Sequence, residues 1–151
     1  DLEIAVTASE NMRDAVVASD VIITTTPSSE PLIKAEWLQP GQHLTAMGSD
    51  QHHKNEIEPE CLSRADTYVA DRLSQTSRLG ELRAAIEAGL VGEGASFPEL
   101  GEIVLGTLKG RQSESDITIA DLTGTGVQDT AIATLAFHKA KVTGAGTIFE
   151  N

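Results

Sequence analysis

A single cysteine, Cys61, stands in 151 residues, which excludes an intrachain disulfide and a multi-cysteine metal site and makes a reducing cytoplasm the expected compartment. Basic residues are scarce as well: 11 Lys and Arg face 23 Asp and Glu, a formal net charge of -12. Nucleic acid and anionic membrane surfaces are thereby excluded as partners, because both reward clustered positive charge. A small ligand or a protein is the expected partner. No run of about 20 apolar residues is present to span a bilayer, and the opening DLEIAVTASE lacks the basic start and apolar stretch of a signal peptide. Internal repeats and low-complexity tracts are missing too. What remains, 40% hydrophobic and 23% charged residues, is the composition of a globular protein long enough to bury a sizeable core in one domain.

Patterning along the chain reads as alternating strands and helices. Leu2 to Val6 is a short strand pattern, and Ser9 with Met12, Ala15, Val16 and Ala18 predicts an N-capped amphipathic helix. Val21 to Thr26 is a β-branched run ended by Pro27, apolar along its whole length, as in a parallel strand buried on both faces. Lys34 to Leu38 predicts a helical turn, His43 to Met47 a strand, Ile57 to Leu62 a short helix or turn, and Thr67 to Ala70 another strand. Successive crossovers of this kind define a parallel α/β sheet, half of a doubly wound fold. Leu79, Leu82, Ala85, Ile86 and Leu90 then follow helical spacing, as do Leu100, Ile103, Val104 and Leu108. Ile117 to Asp121 is a strand ending in an acid, and Val127 to Lys141 carries an apolar stripe through Ile132, Leu135, Ala136 and Ala140.

Chemistry concentrates between Thr45 and Glu58, TAMGSDQHHKNEIE, where a strand runs through Gly48 into a loop bearing Asp50, His52, His53, Lys54 and Glu56. In an open α/β sheet ligands bind at the carboxyl ends of the strands. A carboxylate there serves as proton donor or acceptor, or as counter-charge to a cation; the alternative is a solvated polar loop. Thr24 to Ser28 sets hydroxyls and amides at another strand end, either along a dinucleotide or as a polar stop. Gly124 to Gly126 resembles a phosphate loop in part, but the second half of the G-x-G-x-x-G spacing falls on Asp129, so a tight strand-to-helix turn is the better reading. Adjacent histidines point apart and His52 and His53 have no third ligand nearby, so no metal site is expected. Cys61 reads as a small buried hydrophobe, His138 as exposed, and Trp37 as packing beneath a loop.

The order of these segments resembles the ornithine cyclodeaminase/μ-crystallin family over nearly the whole chain. The resemblance rests on Asp20 to Ser28, Glu36 to Gly41, Met47 to Asp50, Glu56-Ile57, Arg64 to Asp66, Glu99 to Ile103 and Asp121 to Gly124. Gln75 to Leu82 is similar to the ectoine-utilisation branch. The resemblance implies a Rossmann-like, doubly wound parallel sheet and an NAD- or NADP-dependent enzyme. Its reaction interconverts amine and imine at the α-carbon of an amino or imino acid, with or without ring closure and loss of ammonia. It implies that Asp50 is the acid/base group and that Thr24, Leu44, Thr45, Ala46, Met47, Lys54 and Thr123 lie along the cofactor. A homodimer is implied for the full-length protein. A non-catalytic binding or assembly module on the same fold is the alternative, as μ-crystallin itself illustrates for the family.

Two departures matter. Gln51-His52-His53 stand where the family often has proline and glycine, which gives His52 or His53 an opportunity to touch substrate, and Leu122 stands where a serine is common. No G-x-G-x-x-G followed by a ribose-binding acid occurs in the first 30 residues. The expectation is therefore a C-terminal portion: residues 1–141 a partial NAD(P)-binding domain without its first βα unit and N-terminal substrate domain, and 142–151 an arm that packs on that missing domain. Alone, such a chain should lack a complete active site.

Overall fold

The computed structural model describes residues 4–147 and 149. Four parallel strands form its sheet: β1 (Val21–Thr24), β2 (His43–Ala46), β3 (Thr67–Ala70) and β4 (Thr118–Asp121). Their spatial order is β1-β2-β4-β3, so the last strand inserts between the second and third. The register aligns Thr24 with Ala46, and both Ala46 and Ala70 with Asp121. All four carboxyl ends thus reach one rim, where ligands bind in open α/β sheets.

Side chains alternate across each strand. Ile22, Leu44, Ala46, Tyr68, Ala70 and Ile119 face a core shared with Ile33, Leu38, Ile57, Leu62, Leu82 and Ala85. Helices α1 (Met12–Val17), α2 (Glu60–Arg64), α3 (Leu73–Thr76), α4 (Glu81–Glu87), α5 (Leu100–Val104) and α6 (Gly126–Thr143) complete the elements, with a 3-10 turn at Ala35–Trp37. Trp37 packs half-buried against the core, as its sequence context suggests.

Several expectations require correction. Ile4 to Val6 form no strand, and Ile4 and Val6 are exposed, because no described strand lies beside them to pair with; Leu2 and Glu3 lie outside the described residues. The first helix is capped by Asn11, whose side chain accepts from the Asp14 amide, rather than by Ser9. β1 is parallel but is not buried on both faces: Val21 and Ile23 are 58% and 62% exposed. The helical spacing from Leu79 to Leu90 is only partly realised: α4 covers Leu82, Ala85 and Ile86, whereas Leu79 and Leu90 lie outside it. α6 forms as the stripe suggests and runs through Thr143, yet it buries none of its side chains.

Gly80 has a packing reason. A Cβ built there would sit 2.7 Å from each carboxylate oxygen of Asp121, too close for the buried acid to stay in place. Gly80→Ala should lower the unfolding free energy by about 1–3 kcal/mol, the usual cost of overpacking, as read by urea denaturation; an unchanged midpoint would show that Asp121 moves aside freely.

Candidate active site

Behind the rim lie three buried carboxyl groups, each supplied with donors by a different part of the chain. Glu56 is fully buried. Its Oε2 accepts from Thr24 Oγ1 at 2.6 Å and the Gly48 amide at 2.7 Å, and its Oε1 from the Thr26 amide at 2.5 Å and Thr26 Oγ1 at 2.8 Å. Glu81, at the start of α4, accepts from the Glu56 amide at 2.8 Å, from the Ile57 amide and from the Asn55 side chain. Asp121, the last residue of β4, accepts on Oδ2 from Tyr68 Oη at 2.7 Å and the Leu82 amide at 3.1 Å. Its Oδ1 has no hydrogen-bond partner. Burial pushes the carboxyls of Glu81 and Asp121 up to about 7 each.

In front of these groups the loop after β2 emerges toward solvent. Met47 donates its amide to the Thr24 carbonyl at 2.9 Å, which ties the ends of β1 and β2 together. Ser49 is buried and donates to the Lys54 carbonyl at 2.8 Å. Arg83 reaches the same carbonyl from α4 at 2.9 Å. The loop's base is therefore fixed while Asp50 at its tip keeps a side chain 48% exposed, paired with Lys54 Nζ at 2.6 Å. The hydrogen bond from Lys54 holds the Asp50 carboxyl below its ordinary range. His52 and His53 stand exposed on the same loop, their rings edge to face.

The rim gathers Thr24, Met47, Asp50 and Lys54, with Thr123 at the end of the next strand. The remaining positions separate by strand alternation. Leu44 and Ala46 point into the core, at 0% and 1% exposure, and leave only backbone for a ligand. Thr45 faces the opposite side, hydrogen-bonded to His43 at 3.0 Å. A depression of about 460 Å³ lined by Thr26 to Glu30 and Leu32 lies just beyond the end of β1. A larger cavity, about 770 Å³, lies elsewhere, among Asp71, Gln75, Glu99, Val104, Thr125 and Val127. It does not touch Asp50.

Asp71 is a residue the sequence reading missed. Its Oδ2 accepts from the amides of Thr123 and Gly124, each at 2.9 Å, and Thr125 and Gln128 close a capping box at the start of α6. The amides of Thr123, Gly124 and Thr125 are thereby partnered within the protein, and the turn joins β4 to α6. A signal was available: Asp71 follows Ala70 at the end of β3 as Asp121 ends β4. Glu81 was also missed, and nothing in its local sequence distinguishes it from a solvated helix residue. Cys61 is buried as expected, its thiol pushed up to about 12 by burial.

A parallel sheet with polar groups converging on its carboxyl rim is a Rossmann-like α/β domain, whose ligands lie along that rim. The chain belongs to the ornithine cyclodeaminase/mu-crystallin family, whose description matches residues 1–144. An uncharacterized cyclodeaminase of Sinorhizobium fredii is 60% identical over 147 residues, 97% of this chain and 44% of that protein. An archaeal alanine dehydrogenase dimer with bound NAD matches with a TM-score of 0.83 at 35% identity, over 93% of this chain and 43% of that one. The Δ(1)-pyrroline-2-carboxylate reductase of Thermococcus litoralis, in complex with NADH and L-proline, gives 0.86 at 30% identity, over 93% and 44%. The chain thus spans less than half the length of these relatives. No described helix is long and apolar enough to cross a membrane.

The raised Asp121 carboxyl has a thermodynamic sign. Its folded-state value lies above the unfolded one, so the folded form holds its proton where the unfolded form has lost it. Stability is then greatest below the unfolded value and declines as pH rises toward about 7. Asp121→Asn keeps an oxygen for Tyr68 and Leu82 and cannot ionise. Between about pH 5 and pH 8 the wild-type thermal midpoint should fall roughly 2–4 °C further than that of the variant, the response to ~1 kcal/mol in a domain of about 150 residues.

Proposed function

We propose that this chain forms the cofactor-side part of an NAD(H)- or NADP(H)-dependent enzyme that interconverts amine and imine at the α-carbon of an amino acid. The carrying observation is Asp50: a half-exposed carboxylate paired with Lys54, on a loop fixed from behind, at the joined ends of β1 and β2. Relatives that bind NAD or NADH support the cofactor, and their complexes favour NAD over NADP. The local structure fits such a group. Thr26, Ser28 and Ser29 line the depression beyond β1 with hydroxyl groups suited to a cofactor's polar atoms.

When bound, the nicotinamide supplies the acceptor or donor of the hydride at the substrate α-carbon. Asp50 manages the proton. Lys54 keeps it ionised, so it meets a substrate ammonium as counter-charge and then as base, taking the proton that must leave nitrogen when the amine becomes an imine. In the reverse direction the same carboxyl returns that proton. Thr24, Met47, Lys54 and Thr123, with the backbone of residues 44–46, form the cofactor side of this rim. His52 and His53 stand where a substrate side chain would pass.

Further parts of the reading rest on resemblance and relatives. Gln75 to Leu82, similar to the ectoine-utilisation branch, forms the wall behind Asp121 and is the basis for proposing that branch. A homodimer is proposed from the dimeric relative. Residues 1–141 are proposed as the cofactor domain and residues 142–151 as an arm against the half of the enzyme that relatives carry outside the matched region; residues 1–3, 148, 150 and 151 lie outside the described residues. A cytoplasmic location is proposed from the lone cysteine.

In the full-length protein, Asp50→Asn should lower turnover at least ~100-fold, the scale of a lost general acid/base group, while NADH titrated by fluorescence still binds with affinity within about 3-fold. Unchanged turnover would remove Asp50 from the mechanism, and cofactor binding with no turnover in the wild type would favour a binding module. Lys54→Met should raise the Asp50 carboxyl toward its ordinary range, moving the acid limb of kcat/KM to higher pH. A limb that stays in place would show that Lys54 does not tune Asp50.

A further inference from the structure

We propose that Glu56 is a positioning residue: its buried carboxylate clamps the carboxyl ends of β1 and β2 and sets where the Asp50 loop leaves the sheet. This rests on the reading of Asp50 as the acid/base group. Four donors meet the carboxylate. Thr24 and Thr26 come from the β1 end, whereas Gly48 belongs to the β2 end, so one side chain holds both. The Gly48 amide and Glu56 also close the base of the loop that carries Asp50 and Lys54, and the Asp50 amide bonds back to the Gly48 carbonyl at 3.0 Å. Any tilt at Gly48 therefore moves Asp50.

The clamp requires a carboxylate. Each of its oxygens takes one backbone N–H, from Thr26 on Oε1 and from Gly48 on Oε2. The threonine hydroxyls can rotate to accept instead, but a backbone N–H cannot. A glutamine in either orientation places its NH2 against one of these amides. Gly48 packs so closely that a Cβ would overlap the carboxylate, leaving no space for the side chain to withdraw. Glu81 holds Glu56 in turn by accepting its amide at 2.8 Å.

The test compares Glu56→Gln and Glu56→Asp with wild type in the full-length protein, using L-alanine and L-proline with NAD+ and their α-deuterated forms. Thermal midpoint, amide exchange at Thr26 and Gly48, kcat per folded molecule and the deuterium isotope effect are read together. A clamp for the loop predicts that folded Glu56→Gln exchanges both amides at least ~10-fold faster and loses about 10–100-fold in kcat, the scale set by small misplacements of reacting groups. The isotope effect should grow, and Glu56→Asp should recover part of the loss. A lowered midpoint with kcat and isotope effect unchanged would make Glu56 a stabiliser only and overturn the proposal. Should Glu56→Gln not fold, Thr26→Val removes one donor and must show the same changes in smaller measure, or the proposal falls. If the wild type turns over neither substrate, the enzyme reading is what these probes fail to support, and exchange at Gly48 alone decides whether Glu56 holds the loop.

Discussion

Burying a carboxyl group costs free energy unless donors replace the water it loses. The rim depends on how this constraint is met. Glu56 recruits donors from the ends of β1 and β2, Glu81 recruits the backbone that carries Glu56, and Asp121 recruits Tyr68 and the first turn of α4. Each acid thus holds in place a segment that sequence distance would leave independent. Removing one partner would strand a buried polar group, so the arrangement tolerates few alternatives. The base of the loop that carries Asp50 is thus held by groups that do not touch its exposed tip.

The charge pattern follows the same division. Among the described residues three acids outside the buried set pair singly with bases, Asp50 with Lys54, Glu99 with Arg72 and Glu87 with Arg83. Exposed pairs of this kind contribute little to stability. The Asp50 pair therefore matters for its electrostatic effect on a carboxyl, while the buried acids act through the backbone amides they hold. In the proposed reading the carboxylate that manages the proton is not one of those that order the segments behind it.

Much of the fold was legible because parallel strands are written in β-branched residues: Val21 to Thr24, Thr67 to Ala70 and Thr118 to Asp121 stand out by composition alone. Their spatial order was not legible. Insertion of β4 between β2 and β3 depends on contacts across many intervening residues, which local periodicity does not encode. Leu2 to Val6 has strand chemistry without a described neighbouring strand, and an alternating pattern cannot form a ladder by itself. At the site, Asp50 and Lys54 were visible because glycine, acid and base cluster after a strand. The role of Glu56 was hidden, since a glutamate beside Lys54 and Asn55 looks solvated until Thr24, Thr26 and Gly48 are brought to it. Leu44 to Met47 were treated as one cofactor-facing strand, whereas pleating sends Leu44 and Ala46 into the core and Thr45 to the other face.

The open side of β1 bears on how the molecule behaves in solution. Val21 and Ile23 lie exposed on a strand with no described neighbour along its outer edge, and such edges are templates for pairing with another chain. A net charge of -12 opposes that encounter through mutual repulsion between copies. Salt weakens repulsion as the Debye length shrinks to about 3 Å near 1 M, while leaving the apolar attraction intact. Wherever β1 stands at the edge of the sheet, the acidity of the chain thus acts as a colloidal guard over it, most effective in dilute buffer.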